Sequence, residues 1–288
     1  MTNTAVRDEI LIGVDPREQS VPALAWAADE AVRRGLSLRL VLSVPPLHDT
    51  QHVDTEPHRT ARRARAETAL ATASEAVRAL HPNLPMTTEL LDGVPATTVC
   101  REAARACMVV LGSRRLSRWE EILSTGSVVV PVSAQAECPV VVVREPEYIA
   151  EERPYLVVGV DGSEGSAAAV AFAFEEARLR HAAVWAVWAW HRPFAGLADD
   201  TDTAREQQRL LNEFLEPWQR KYPELEVTGD VLLGHPVERL SLASARALAV
   251  VVGRRGRGGY TGMRLGSVAH GLLHRAECPV ITVPGPRR

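Results

Sequence analysis

Lysine is almost missing: Lys221 is the only one, so arginine supplies the other 32 of the 33 basic residues. An excess of positive charge is missing too. The net charge is -3, which offers no general attraction to nucleic acid or to an anionic membrane. The four cysteines, Cys100, Cys107, Cys138 and Cys278, form no C-x-x-C pair and no zinc spacing. They read as reduced thiols in or near a core. No window holds the ~18 consecutive apolar residues of a membrane helix. Met1 to Glu9 is polar and lacks the apolar stretch of a signal peptide, so a cytoplasmic protein is expected. There is no G-x-S-x-G elbow, and no lysine stands in a glycine loop, which excludes that nucleophile motif and a Walker A phosphate loop. What is present is ordinary for globular proteins: 288 residues, 46% apolar and 24% charged, enough for two domains.

Apolar runs alternate with helical patterns along the first half. Ile10 to Asp15 is a short apolar run ending in Asp, as a buried parallel strand would be. Val21 to Arg34 carries Leu24, Ala27, Ala28, Ala31 and Val32 at helical spacing, with Gly35 as a stop. Strands are predicted over 36–44, 86–91, 108–111 and 140–143, and helices over 59–80 and 96–106. Gly126-Ser127 opens another helical segment. Strand and helix in alternation point to a parallel sheet covered on both faces.

The second half repeats the first. Leu156 to Asp161 matches Ile10 to Asp15, Ser166 matches Ser20, and Val251-Val252-Gly253 matches Val110-Leu111-Gly112. Ala276 to Val280 matches Ala136 to Val140. A period near ~140 residues is a duplicated domain, not a solenoid. Domains are expected at 1–147 and 153–288, joined by a Glu-, Arg- and Pro-rich linker.

The densest stretch is Gly253 to Ser267. An apolar strand stops at Gly253, a loop rich in Gly and Arg follows, and Gly266-Ser267 opens a helical segment. A helix start presents unpaired N–H groups with partial positive charge, and glycines let that backbone approach an anion. The pattern is Gly253, two residues, Gly256, nine residues, Gly266, then Ser267. With Asp161 at the end of the first strand, it resembles the ATP-binding type of the universal stress protein family, in its tandem two-domain form. The resemblance spans nearly the whole chain.

The resemblance implies an α/β fold of two tandem, doubly wound, five-stranded parallel sheets. These are Rossmann-like and similar to the adenine-nucleotide α-hydrolase group, and would pair as an intramolecular pseudo-dimer through 140–143 and 280–283. It implies ATP, with Mg²⁺, in the second domain, and a regulatory or stress-adaptive role. Asp161 would accept hydrogen bonds from the adenosine part. Gly253, Gly256, Gly266 and Ser267 would hold the phosphates, and Trp190 would sit where backbone groups read the adenine edge. Gly162, Arg254, Arg255, Arg257 and Val268 are secondary candidates. Each has a plainer reading: a glycine loop can be a connection, Asp161 a turn-former, Trp190 a core aromatic, and loop arginines solvated charge.

The first copy keeps Asp15, Gly112, Gly126 and Ser127 but is degenerate. Arg115 stands where the second glycine belongs, the loop is one residue longer, and Trp119-Glu120-Glu121 replaces small residues. Val128 to Val130 and Pro131 weaken the following helix start. Little or no ATP is expected there. His48, His52 and His58 lie in a polar stretch with no fixed metal spacing. The basic run Arg59 to Arg65 shares its helix with Glu67 and Glu75 and has no interleaved aromatics, so no nucleic-acid partner is expected. A slow ATPase, an adenylate-using enzyme and a nucleotide-free scaffold are the alternatives. A homodimer stays open as a possible assembly.

Overall fold

The computed structural model describes residues 8–17, 20–45, 56–113, 128–144, 153–190, 200–257 and 264–286. The chain divides into two compact units, Met1–Glu145 and Pro146–Arg288. Unit 1 runs β1 (Glu9–Gly13), α1 (Val21–Arg34), β2 (Ser37–Val44), α2 (Glu56–Leu80), β3 (Met86–Asp92), α3 (Pro95–Glu102), β4 (Met108–Gly112), α4 (Val129–Gln135) and β5 (Val140–Val143). Unit 2 repeats the order with β6 (Tyr155–Gly159), α5 (Glu164–Arg180), β7 (Ala183–Trp190), α6 (Asp200–Lys221), β8 (Val227–Leu233), α7 (Pro236–Ala243), β9 (Ala249–Gly253), α8 (Ser267–Arg275) and β10 (Val280–Val283).

Every strand pair within each unit is parallel. In unit 1 the order is β3-β2-β1-β4-β5, and in unit 2 it is β8-β7-β6-β9-β10. The chain winds outward from β1 to β3, then returns to the other side of β1 through β4. This is the doubly wound arrangement that the alternation of elements predicts. Its reversal points lie between β1 and β4 and between β6 and β9, where such sheets place ligands at the carboxyl ends of the strands.

The central strands are largely apolar because helices cover both faces, whereas the outer strands β3 and β8 carry polar residues and are partly exposed. Ile10, Leu11 and Ile12 are buried, as are Val140 to Val143 and Leu156 to Val158. Helix α1 matches with an apolar stripe, burying Ala23, Leu24, Ala27, Ala28 and Ala31. Ser20 caps its start, accepting from the Ala23 N–H, and Gly35 ends it with φ 66°. On α5 the equivalent stop is His181, left-handed at φ 51°. Phe174 of α5 packs against Trp218 and Tyr222 (ring centroids 6.1 and 6.0 Å). Each fully buried Leu, Val or Phe contributes about 1.5–3 kcal/mol.

One charged cluster lies inside unit 1. Arg39 of β2, only 7% exposed, sits 3.0 Å from each of Glu9, Glu89 and Glu102. It also donates to the Glu102 carbonyl at 3.2 Å. Burial lowers the Arg39 pKa, but the hydrogen bonds and charges of the three glutamates outweigh it and raise it overall. Glu102 is nearly as buried as Arg39 whereas Glu89 is exposed, so removing Arg39 would chiefly leave the Glu102 carboxylate desolvated.

Candidate functional site

In unit 2 the ladder between β6 and β9 runs from Leu156↔Ala249 to Val158↔Val251. In unit 1 the matching ladder runs one pair further, from Ile10↔Met108 to Gly13↔Leu111. A cavity of about 200 Å³ opens at the carboxyl ends of the unit 2 strands, with Gly159, Val252 and Gly253 in its lining.

The first wall is the turn after β6. Asp161 follows Val160, and Gly162 takes a left-handed φ of 72°, which a residue with a Cβ rarely adopts. Ser163 caps α5 by accepting from the Ser166 N–H at 3.1 Å. Asp161 Oδ1 accepts from the Ser163 N–H at 3.0 Å. Its Oδ2 accepts from the Arg257 N–H at 2.9 Å, reaching across to the glycine loop. Burial raises the Asp161 pKa. Hydrogen bonds from the Ser163 side chain, the Arg257 and Ser163 N–H groups and the Ser166 side chain outweigh it, and hold the carboxyl below its usual range.

The second wall is the loop after β9. The Arg254 N–H donates to the Val283 carbonyl at 2.7 Å, and the Arg254 carbonyl accepts from the Gly266 N–H at 2.8 Å. The two ends of the glycine loop are thus stitched together. Close approach explains the glycines. A Cβ on Gly253 would lie 2.6 Å from the carbonyl carbon and oxygen of Gly165, and one on Gly256 would lie 2.3 Å from Asp161 Oδ2. Gly266 is the N-cap of α8 and provides no side-chain cap, so the first N–H groups of that helix are left for another acceptor.

Asp161, Gly253, Gly256, Gly266, Ser267 and Val268 all line the cavity, with Arg255 and Arg257 beside them. Three candidates do not. Arg254 contributes its backbone to the loop closure just described. Gly162 lies behind the wall, where a Cβ would meet the Arg257 guanidinium at 2.6 Å and the Trp188 ring at 3.1 Å. Trp190 is buried, with its carbonyl accepting from the Gly234 N–H at 2.9 Å. Val187 and Ala189 of the same strand line the cavity instead, and alternation along a strand turns Trp190 to the other face.

Sequence reasoning did not identify the apolar side of the cavity, where Val160, Val187 and Ala189 meet Pro236 and Leu240 of α7. Nor did it identify Gly165, whose Cβ would lie 2.1 Å from the Arg255 carbonyl oxygen. A glycine in the first turn of a helix was the available signal. Arg257 also has a platform: its guanidinium lies 5.7 Å from the Trp188 ring centroid and donates to the Gly162 carbonyl at 3.4 Å.

In unit 1, Asp15 is exposed and its Oδ1 accepts from the Arg17 N–H at 2.8 Å, repeating the Asp161 turn. Gly112 ends β4, and a Cβ there would meet the Ser20 Cβ at 2.4 Å. Gly126, Ser127, Arg115 and 119–121 lie outside the described residues, as do His48 and His52. His58 falls in α2. Among the described residues no three metal-ligating side chains cluster. No helix among them is long and apolar enough to cross a membrane.

A doubly wound fold, present twice, with a glycine loop and helix start beside a crevice in unit 2, defines a tandem α/β class of protein. The chain belongs to the universal stress protein family, whose sequence profile matches residues 7–144 and again 155–284. It is 35% identical over 285 residues to the universal stress protein Rv2005c of Mycobacterium tuberculosis, covering 94% of this chain and 95% of that one. It is 33% identical over 286 residues to Rv2623 of the same organism, again covering 94% and 95%. Among solved structures, a universal stress protein from Archaeoglobus fulgidus superposes with a TM-score of 0.75 at 18% identity, covering 97% of each chain.

Proposed function

We propose that unit 2 binds ATP in the crevice between β6 and β9, and that the chain acts in the cytoplasm as a nucleotide-responsive regulatory protein. The observation that carries this reading is the convergence of Gly253, Gly256, Gly266 and Ser267 on one cavity beside Asp161. The apolar side formed by Val187, Ala189 and Leu240 suits the adenine ring. The glycine loop and the start of α8 suit the phosphates, and Arg255 stands beside them in the lining. Among the described residues lining the cavity, Asp161 is the only carboxylate. Mg²⁺ would therefore ride on the phosphates and water, as it commonly does.

The same arrangement favours holding the nucleotide over turning it over quickly. Fast hydrolysis needs a residue that orients water and a metal-binding acid besides the phosphate grip. Asp161 already accepts two backbone N–H groups. Unit 1 is proposed to stay empty, since Arg115 replaces the glycine that corresponds to Gly256.

Calorimetric titration, with the nucleotide content of the purified chain, tests this reading. One ATP per chain is expected, and none for Gly256→Val, whose side chain meets the Asp161 carboxylate. Unchanged affinity in that variant would refute the site assignment. Two ATP per chain would refute the asymmetry, and phosphate release in step with binding would favour the ATPase alternative.

A further inference from the structure

We infer that His270 and His274 form a chelating site for a divalent transition-metal ion on the solvent side of α8. Neither residue lines the cavity, so the site stands whether or not the crevice takes a nucleotide.

Helix α8 spans Ser267–Arg275 and buries Ala269, Leu272 and Leu273. Positions 270 and 274 fall together outside that stripe, one turn apart. His270 is exposed and His274 half-buried. The two rings meet there, with centroids 4.5 Å apart and Nε2 to Nε2 3.3 Å. One imidazole N–H donates to the other ring nitrogen across that gap. The same separation fits a shared metal. Imidazole nitrogens bind Zn²⁺ at about 2.0–2.1 Å, and two such bonds at a tetrahedral angle place the nitrogens about 3.3–3.4 Å apart. An ion replacing the shared proton therefore finds both nitrogens already at their bonded separation. The proton moves to Nδ1 of the donating ring, which leaves both Nε2 lone pairs for the metal.

Two histidines one turn apart on a helix face are a recurrent grip for zinc. Imidazole suits Zn²⁺, Ni²⁺ and Cu²⁺, whereas Mg²⁺ takes oxygen ligands. Among the described residues no third ligating side chain joins the pair, so water completes the coordination. The C-terminal half of a helix also carries partial negative charge, which favours a cation there.

The other copy shows that the frame does not demand these rings. Ser127 and Cys138 stand at the same spacing as Ser267 and Cys278, which puts Val130 and Ala134 where unit 2 has the two histidines. Helix α4 forms there all the same. Between the histidines stands Gly271, where an added Cβ would lie 2.6 Å from the Val237 side chain of α7. Packing thus imposes a residue that weakens a helix interior. A metal bridging His270 and His274 clips the turn that contains it, so binding the ion stabilises α8.

The test titrates the untagged full chain calorimetrically with chlorides of Cu²⁺, Ni²⁺, Zn²⁺ and Mg²⁺. Cu²⁺ is expected to bind tightest, with no Mg²⁺ at the pair. His270→Ala and His274→Ala should each weaken the tightest Cu²⁺ site at least about tenfold, since loss of even an outer partner of a ligand costs that much. Zn²⁺ should raise the melting temperature of the wild type and leave those of the two variants unmoved. Unchanged Cu²⁺ affinity in both variants would place the ion elsewhere and overturn the inference, as would a wild type that binds none of the transition ions. The paramagnetic resonance spectrum of the Cu²⁺-loaded wild type is the readout that needs no variant. Hyperfine splitting from two imidazole nitrogens supports the chelate, and splitting from a single nitrogen overturns it.

Discussion

Gly165→Ala probes the site from outside the glycine motif. Gly165 occupies the first turn of α5, and an added Cβ would lie 2.1 Å from the Arg255 carbonyl oxygen and 3.3 Å from its carbon. The obstacle is backbone, so no side chain can rotate out of the way. The loop must retreat by about 0.9 Å to bring that contact to the 3.0 Å below which real Cβ contacts are essentially not seen. Gly253 offers no slack, since its own Cβ position is 2.6 Å from the Gly165 carbonyl.

Two effects of opposite sign compete. Alanine favours the helix over glycine by up to about 1 kcal/mol, and less near a terminus. The displaced loop loses its aim at the phosphates. Charge-assisted hydrogen bonds contribute about 1.5–3 kcal/mol each. Forfeiting the equivalent of one or two gives about 3 kcal/mol, or roughly 100-fold in affinity. The variant should therefore melt within about 3 °C of the wild type without nucleotide, yet bind ATP about 100-fold more weakly by calorimetry. Gly285→Ala is the control, because nothing lies within 4 Å of its added Cβ. ATP affinity within threefold of the wild type, with the Arg257 amide still protected, would refute the reasoning.

Arg39→Met should destabilise unit 1 by about 3 kcal/mol in denaturant unfolding at pH 7, since Glu9, Glu89 and Glu102 would be left together without their cation; a loss below about 1 kcal/mol would count against it. Burial raises the Glu102 pKa, but hydrogen bonds from Arg101 and Arg39 outweigh it and hold the carboxyl below the usual glutamate range. Its stabilisation is accordingly present above the unfolded pKa and lost as pH falls through the depressed value, so the acid limb of the stability curve should flatten in Glu102→Gln. Cys278 shifts the other way: burial pushes its thiol up from 9.0 to about 11. Stability should then fall between about pH 9 and 11, as the unfolded chain ionises first, and Cys278→Ala should lose that component of the slope.

Periodicity made the frame legible. The apolar spacing of Leu24, Ala27, Ala28 and Ala31, with Gly35 after it, marks the α1 that forms over Val21–Arg34. The four valines of β5 need no partner information to read as a buried strand. Helix α4 shows what such reasoning weighs imperfectly. It forms over Val129–Gln135 despite β-branched residues and Pro131, because proline near a helix start lacks an N–H that would have had no partner there. The motif glycines stood out by their spacing, and a Cβ on Gly253 or Gly256 would strike protein atoms that the spacing alone did not name. The contact between Gly165 and Arg255 was not legible, because it depends on how near one helix start comes to a loop about 90 positions away.

The two copies show how one frame accepts different interiors. Strand registers place Tyr155 where unit 1 has Glu9, Trp185 where it has Arg39, and Asp230 where it has Glu89. Unit 1 fills this place with one arginine and its glutamates. Unit 2 fills it with packed rings (Tyr155 and Trp185 centroids 6.2 Å apart) and two neutral-donor hydrogen bonds, Trp185 Nε1–H to Asp230 at 2.8 Å and Tyr155 O–H to the Ala243 carbonyl at 3.1 Å. Both solutions give the polar groups at this place partners, so the sheet tolerates the exchange. At the reversal point the two copies are alike: an added Cβ at Gly13 would lie 2.9 Å from the Leu111 side chain and one at Gly159 3.0 Å from the Val252 side chain, and Asp15 and Asp161 each accept from the N–H two residues on. The turn after the first strand is therefore set by the frame that both copies share.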